Sequence, residues 1–371
     1  MKAKNEQKPL IILTAGGTGG HVYPAEALAE ELSERGYRLM LVTDKRGLNN
    51  YKGKLGEIKN YAVFAGAVMG KSYFFKLQSL CKTAIGILQC IRIILKNRPA
   101  CVVGFGGYAS FPCAMAALLL GTDLIIHEQN SVMSRTNRFL ARYASLVAAS
   151  FKNTKFAPDN GRTVVTGMPI RHNICELLGD ERRQPPANGK FKILVLGGSQ
   201  GAKVFSEVVP AAVAALPPKL QKRLVITAQC RKDEVEEITK KYKELPCRAE
   251  VAAFFDNMPE RYRKNDLIIS RSGASSVFEI AAAGIPSILV PLPNAADNHQ
   301  TSNAAEFKRT KAGIVIAQSA FTAPKLAAFL AELMEDGEYL KKMGLAAKRL
   351  AVPDAAVRLA NQLEKKVIQN I

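Results

Sequence analysis

Two stretches of this sequence share one plan. Residues 10–29, LIILTAGGTGGHVYPAEALA, and residues 191–216, FKILVLGGSQGAKVFSEVVPAAVAAL, each run from a short apolar segment through a glycine-rich turn into a helical pattern. An apolar run bounded by polar residues and glycines reads as a buried parallel strand. In the first stretch Ala25, Leu28, Ala29 and Leu32 recur at helical spacing while Glu26, Glu30, Glu31 and Glu34 point elsewhere, so a helix is expected from near Pro24. A turn from strand end to helix start offers unpaired backbone N–H groups and the positive end of the helix dipole, and glycine lets an anion come close. A tight turn whose glycines serve only backbone geometry is the alternative. Gly17 and Gly19 open a G-x-G, but Val22 stands where a dinucleotide fingerprint needs its third glycine, and no Gly-Lys-Ser/Thr follows for a P-loop. Hydride transfer and ATP hydrolysis are therefore disfavoured.

Strand-like runs alternate with helical patterns along the whole chain. LIILT, RLMLVT, CVVGFG, LIIHE, LVAAS and TVVTG lie in the first half; FKILVL, RLVITAQ, AEVAAF, DLIISR and SILVPL lie in the second. That alternation predicts an α/β fold with parallel sheets, and 371 residues are enough for two doubly wound domains. The polar segment 179–190, broken by Pro185 and Pro186, reads as a linker. Ligands of open parallel sheets bind at the carboxyl ends of the strands, so two such domains predict a cleft with phosphate-friendly loops on both sides.

Charge is uneven. Of the net +20, +13 falls in residues 1–171, and residues 58–122 contain Lys59, Lys71, Lys76, Lys82, Arg92, Lys96 and Arg98 without one Asp or Glu. Within that span Tyr73, Phe74, Phe75, Leu77 and Leu80 stand among lysines, a mixture suited to an anionic bilayer surface. A core helix with solvated lysines at its edges would account for much of the same pattern. Nucleic acid is disfavoured as a partner, because no recognition motif accompanies the basic residues and bulky aliphatics interrupt them. The seven cysteines are dispersed without a C-x-x-C pair, which argues against a disulfide framework or zinc site and for a reducing, cytoplasmic setting. No signal pattern opens the chain, and no apolar run is expected to reach the roughly 18 to 20 residues of a membrane span.

Four more polar clusters follow strand candidates. GFGGYASFP (104–112) is a second glycine-rich turn, and HEQN (127–130) gathers His127, Glu128, Gln129 and Asn130. SRSGASSVFEIAAAGIP (270–286) sets Ser272 and Gly273 at a helix start with Glu279 inside it, and 290–304 concentrates Asp297, Asn298, His299, Gln300 and Asn303. Each alone could be a cap or a polar loop. Their recurrence at strand ends points to a binding site.

Taken in order and spacing, GGTGGHVYPA, GFGGY, HEQN, TGMPIR, GGSQGA, RSGA with Glu279, and DNHQ resemble the bacterial undecaprenyl-diphospho-muramoylpentapeptide β-N-acetylglucosaminyltransferase family, over about Leu10 to Asn303. The resemblance implies two Rossmann-like domains of glycosyltransferase-B type. Residues 1–170, with a C-terminal helix at about 355–371, would hold the lipid acceptor and meet the membrane; residues 171–354 would bind UDP-N-acetylglucosamine. It implies inverting transfer to the muramic acid C4 hydroxyl of lipid I, giving lipid II for peptidoglycan, without a cofactor or an essential metal. It also implies a peripheral position on the cytoplasmic face of the inner membrane, with cell-wall synthesis proteins as possible partners.

Residue by residue, the resemblance implies donor contacts from Thr18, Gly19, Gly20, Asn130 and Arg171, with Ser199 at the diphosphate and the main chain of Phe255 at the uracil. Ala274, Ser275, Ser276, Val277, Phe278 and Glu279 match the segment below the nucleotide, Glu279 toward the ribose, and Gln300 the sugar hydroxyls. Gly104, Gly106, Gly107 and Tyr108 match acceptor-side elements, and Lys71, Phe74, Phe75, Lys76, Leu77 and Leu80 lie where the family meets the membrane. His21 is the expected general base, since an imidazole with an ordinary pKa of about 6.5 suits proton removal near neutrality; Glu128 is the reserve. Rivals are another UDP-N-acetylglucosamine enzyme of the same fold, an epimerase or glycolipid synthase, and a non-catalytic membrane-docked sugar-nucleotide binder.

Overall fold

The computed structural model describes residues 8–16, 19–48, 53–66, 73–181, 189–198 and 201–368, with backbone alone at 73, 74, 367 and 368. The chain divides into two compact units, Met1–Arg171 with Asp354–Ile371, and His172–Pro353. The first contains strands β1 (Leu10–Thr14), β2 (Arg38–Thr43), β3 (Lys59–Ala62), β4 (Cys101–Gly104), β5 (Asp123–Glu128), β6 (Leu146–Ala149) and β7 (Thr163–Val165). They form one sheet in the order β3-β2-β1-β4-β5-β6-β7, parallel throughout. The second contains β8 (Phe191–Leu196), β9 (Leu224–Gln229), β10 (Arg248–Ala252), β11 (Leu267–Ser270), β12 (Ser287–Leu289) and β13 (Ile314–Val315), in the order β10-β9-β8-β11-β12-β13, also parallel.

In each sheet the strand order reverses once, between β1 and β4 and between β8 and β11. Helices leaving such a pair cross to opposite faces, and the parted loops open a crevice at the strand ends. The glycine-rich turns of the sequence lie there, after β1, β4 and β8, with Ser272 and Gly273 after β11.

Period-two alternation sorts β1 between two cores. Ile11 and Leu13 pack with Leu28, Leu32, Leu359 and Leu363, whereas Leu10 and Ile12 pack with Val42, Cys90, Ile94, Cys113 and Ala117. The C-terminal helix Ala355–Ile368 thus completes the first core, and Arg35 donates to Asn361 Oδ1 and Glu364 Oε2, each at 2.7 Å. In the second unit Ile193, Val195, Ile226 and Ile269 pack under Phe205, Val209 and Leu330.

Four elements differ from the sequence expectation. The first helix runs Gly19–Glu34 with Pro24 inside it, so Gly19, Gly20 and His21 form its first turn rather than the loop before it. The strands β3 (KNYA) and β13 (IV) carried no usable pattern, being short edge strands with no fully buried residue. Finally, the helix Tyr73–Asn97 includes one stretch, Phe75–Asn97, long and apolar enough to cross a membrane by length and composition, with mean hydropathy 1.3. Single basic residues at 76, 82, 92 and 96 break any strict apolar run, which is why none is visible by eye, yet leave the average high.

Candidate functional site

In the first unit the crevice is built around His21. The imidazole Nδ1 lies 2.8 Å from the Phe105 carbonyl oxygen and 3.2 Å from Gln129 Oε1. Backbone approaches the ring closely because Gly106 and Gly107 hold φ of 82° and 78°, left-handed values that favour glycine. A Cβ on Gly107 would stand 3.3 Å from His21 Cδ2 and 3.2 Å from Gly16 Cα; one on Gly106 would stand 3.4 Å from His21 Cε1. Gly16 and His21 on one side and Gly106 and Gly107 on the other, well separated in sequence, are therefore two walls of one site. Gly104 ends β4 inside the core, and the Tyr108 hydroxyl donates to Asp44 Oδ2 at 2.8 Å, with Arg46 over the Tyr108 ring at 5.2 Å.

The HEQN segment closes the same crevice. Glu128 is buried, and both oxygens are occupied by N–H donors: Asn130 N at 3.0 Å and Asn130 Nδ2 at 3.3 Å on Oε1, Ser134 N at 3.0 Å and Asn137 Nδ2 at 2.8 Å on Oε2. A carboxylate so engaged is a scaffold for the loop ahead of the helix Arg135–Leu140, and this bonding speaks against it as a reserve base. His127 is fully buried, its pKa pushed down to about 4 chiefly by that burial, so it stays neutral. Arg171, at the end of this unit, lays its guanidinium over the Tyr23 ring at 4.7 Å, one helical turn from His21's end of the first helix. Gly19 and Gly20 lie in that turn; Thr18 falls outside the described residues.

In the second unit the loop after β8 is again shaped by glycine. Gly198 and Gly201 hold φ of 81° and 69°, a Cβ at Gly197 would collide with Ala202 N, and the helix Lys203–Ala215 follows. Ser199, expected at the diphosphate, lies outside the described residues. Behind this helix Arg271 is buried, donating to Val290 O at 3.0 Å and Gln318 Oε1 at 2.7 Å, with Phe205 5.1 Å from its guanidinium; burial pulls its pKa down.

The helix Ala274–Ala283 is capped by Gly273, and its Glu279 is buried with one oxygen receiving the Tyr262 hydroxyl at 2.9 Å. Ser275 Oγ is buried without a hydrogen-bond partner among the described residues, and Ser276 is half-buried in the same turn. Ala274, Val277 and Phe278 point into the interior, so only their main chain could face a nucleotide. The Phe255 side chain is likewise buried, under Arg261 at 4.5 Å. Gln300 Oε1 accepts from Leu292 N at 3.0 Å, and its own carbonyl accepts from Ser272 Oγ at 2.9 Å, tying the loop after β12 to the loop after β11. Asp297 and Asn298 just before it hold φ of 51° and 55°.

Sequence reasoning did not find Tyr262, Tyr23 or Asp44 as partners of these groups. No local signal marks a tyrosine whose hydroxyl meets a carboxylate 17 positions away. Gln129 and His127 were visible within HEQN, but their orientation was not.

The glycosyltransferase family 28 N-terminal domain matches residues 11–149, and the family's C-terminal domain matches residues 192–359. The chain belongs to this family. It is 45% identical over 95% of its length to the UDP-N-acetylglucosamine--N-acetylmuramyl-(pentapeptide) pyrophosphoryl-undecaprenol N-acetylglucosamine transferase of Rhodospirillum rubrum, covering 90% of that protein. It is 44% identical to the transferase of the same name from Paramagnetospirillum magneticum, covering 96% of each chain. Among solved structures it is similar to Acinetobacter baumannii MurG, with 32% identity, a TM-score of 0.77, and coverage of 96% of this chain and 99% of that one. The two parallel sheets are thus those of a glycosyltransferase-B enzyme.

Proposed function

We propose that His21 is the general base with which this family 28 transferase makes lipid II. The transferase moves N-acetylglucosamine from UDP-N-acetylglucosamine onto lipid I in peptidoglycan synthesis. Such a transfer must remove a proton from the attacking hydroxyl and stabilise the departing diphosphate. The observation that carries the base assignment is the contact of His21 Nδ1 with the Phe105 carbonyl at 2.8 Å. A carbonyl only accepts, so Nδ1 carries the hydrogen and the basic lone pair belongs to Nε2. Glu128, whose oxygens already receive four N–H groups, is set aside for that role.

In the donor unit, the N–H groups at the start of the helix Lys203–Ala215 would meet the diphosphate, so that no divalent cation is needed. Glu279, steadied by Tyr262, would accept from the ribose hydroxyls. With Gln300 Oε1 held by Leu292 N, the Gln300 amide nitrogen would donate to the sugar.

The finer placement, a peripheral position on the cytoplasmic face of the inner membrane, rests on the helix Tyr73–Asn97. Phe75, Lys76, Leu77, Leu80, Leu88 and Leu95 are exposed on it, while Cys90 and Ile94 are core residues and Gly86 meets the Phe64 carbonyl without room for a Cβ. A helix fastened along one side to its domain suits lying on an anionic bilayer better than spanning one. Lys71 falls outside the described residues, as does the side chain of Phe74.

The deciding experiment pairs turnover of UDP-N-acetylglucosamine and lipid I with calorimetric donor binding in His21→Ala. Turnover is expected to fall about 100-fold or more, in line with a lost general base, with the donor Kd within about threefold of wild type. Equal losses in both would sink the assignment.

A further inference from the structure

A histidine base must offer its lone pair at the correct nitrogen, and the Phe105 carbonyl is only one part of what surrounds His21. Gln129, nearly fully buried, stands between His21 and His127. Its Nε2 lies 2.8 Å from the Phe105 carbonyl oxygen, 3.1 Å from the His127 carbonyl oxygen and 3.1 Å from His127 Nδ1. Two of these three are oxygens that can only accept, so the nitrogen end of the amide faces them; the reversed amide would set oxygen against oxygen. Oε1 is thereby turned to His21 Nδ1, 3.2 Å away.

His127 fits the same scheme. Its Nε2 is 3.3 Å from the Gly167 carbonyl oxygen, which calls for a hydrogen on Nε2 and leaves Nδ1 to accept from Gln129. Burial keeps this ring neutral, so it has no second proton with which to reverse the order. The Phe105 carbonyl uses both its lone pairs, one for His21 and one for Gln129. The two amide hydrogens of Gln129 meet three acceptors, one directed at the Phe105 carbonyl and the other shared between the His127 carbonyl and Nδ1, so the amide has one consistent orientation and leaves Oε1 to accept from His21 Nδ1.

We propose that Gln129, oriented by His127 and the Phe105 carbonyl, is a positioning residue that holds His21 in the Nδ1–H tautomer and so keeps the basic lone pair on Nε2. The proposal rests on His21 being the general base, and it adds which neighbour sets that base. An imidazole with hydrogen on Nε2 would turn a lone pair toward two acceptors at once, Phe105 O and Gln129 Oε1, which is the arrangement the buried network penalises.

The test uses the full chain labelled with 15N-histidine, whose four histidines make long-range 15N–1H correlation spectra assignable. Wild type is expected to show His21 as a single Nδ1–H tautomer above its pKa. In Gln129→Met, a side chain of similar length with neither amide group, Nδ1 loses one of its two acceptors and the Phe105 carbonyl loses the amide that fixes it, so His21 is expected to gain a measurable Nε2–H population. Its kcat should fall about tenfold with KM for UDP-N-acetylglucosamine within about twofold, as for a lost partner of a catalytic group. A pure Nδ1–H tautomer retained in that variant, or a mixture already present in wild type, would overturn the proposal. Should Gln129→Met not fold, Gln129→Glu is read instead: a carboxylate still accepts from Nδ1–H, and the His21 pKa should rise by about one unit or more. An unmoved pKa there counts against the proposal. Near wild-type turnover in His21→Ala would remove the base assignment and leave the tautomer measurement standing, so the two failures are distinct.

Discussion

Glu128→Gln separates a scaffold carboxylate from a catalytic one. In wild type, two N–H donors converge on each Glu128 oxygen. Replacing one oxygen with NH2 removes two of the four acceptances and sets a donor against either Asn130 N and Nδ2 or Ser134 N and Asn137 Nδ2. Hydrogen bonds to a charged group contribute roughly 1.5–3 kcal/mol each, so two lost at a buried site amount to about 3–6 kcal/mol. Against a domain stability of roughly 5–15 kcal/mol, that is a large share. Urea unfolding followed by circular dichroism, with hydrogen exchange at Asn130, Ser134 and Asn137, measures it. The expected result is a lower midpoint and lost protection in this loop, with the folded fraction keeping the pH dependence of wild-type turnover. Turnover abolished on a stability changed by less than about 1 kcal/mol would refute the reasoning and return Glu128 to the chemistry.

Other expectations follow from individual contacts. His127 has a pKa of about 4 when folded and an ordinary imidazole pKa of about 6.5 when unfolded, so the unfolded state binds the extra proton and stability falls as pH drops through this window, by about 3 kcal/mol in full. In His127→Gln, urea titrations at pH 7 and pH 4.5 should show that share of the pH dependence gone. Tyr262→Phe removes the hydroxyl that donates to Glu279 at 2.9 Å and should raise KM for UDP-N-acetylglucosamine about threefold to tenfold with kcat nearly unchanged, a hydrogen bond to a carboxylate being the loss. Gly107→Ala places a methyl 3.3 Å from His21 Cδ2 at a φ of 78°; kcat should drop about tenfold or more, checked in steady-state assays with lipid I. Phe75→Ser with Leu80→Ser should weaken flotation with anionic liposomes while leaving turnover of a detergent-dispersed acceptor near wild type, and binding indifferent to lipid charge would remove the bilayer surface from the account.

The sequence by itself determined the two parallel sheets and their glycine turns. Strands buried on both faces must be short apolar runs, and a backbone that turns with φ near 80° at Gly106, Gly107 and Gly198 must be glycine there; both requirements are written locally. The edge strands β3 and β13 escaped it, because KNYA is too polar and IV too short to show a pattern, and an edge position with no fully buried residue tolerates both. Local reading also placed the first helix too late: Pro24 is a familiar helix opener, and nothing nearby says that Gly19, Gly20 and His21 are already wound.

Only the tertiary structure decided what the polar residues contact. In a string of letters His21 stood first as candidate base and Glu128 in reserve, since a carboxylate and an imidazole can each take a proton. Folding turned four N–H groups of the next nine residues onto the carboxylate and brought two acceptors, from residues more than 80 positions away, beside Nδ1 of the imidazole. Hydrogen-bond directionality is a property of that assembled geometry, and neither composition nor spacing carries it.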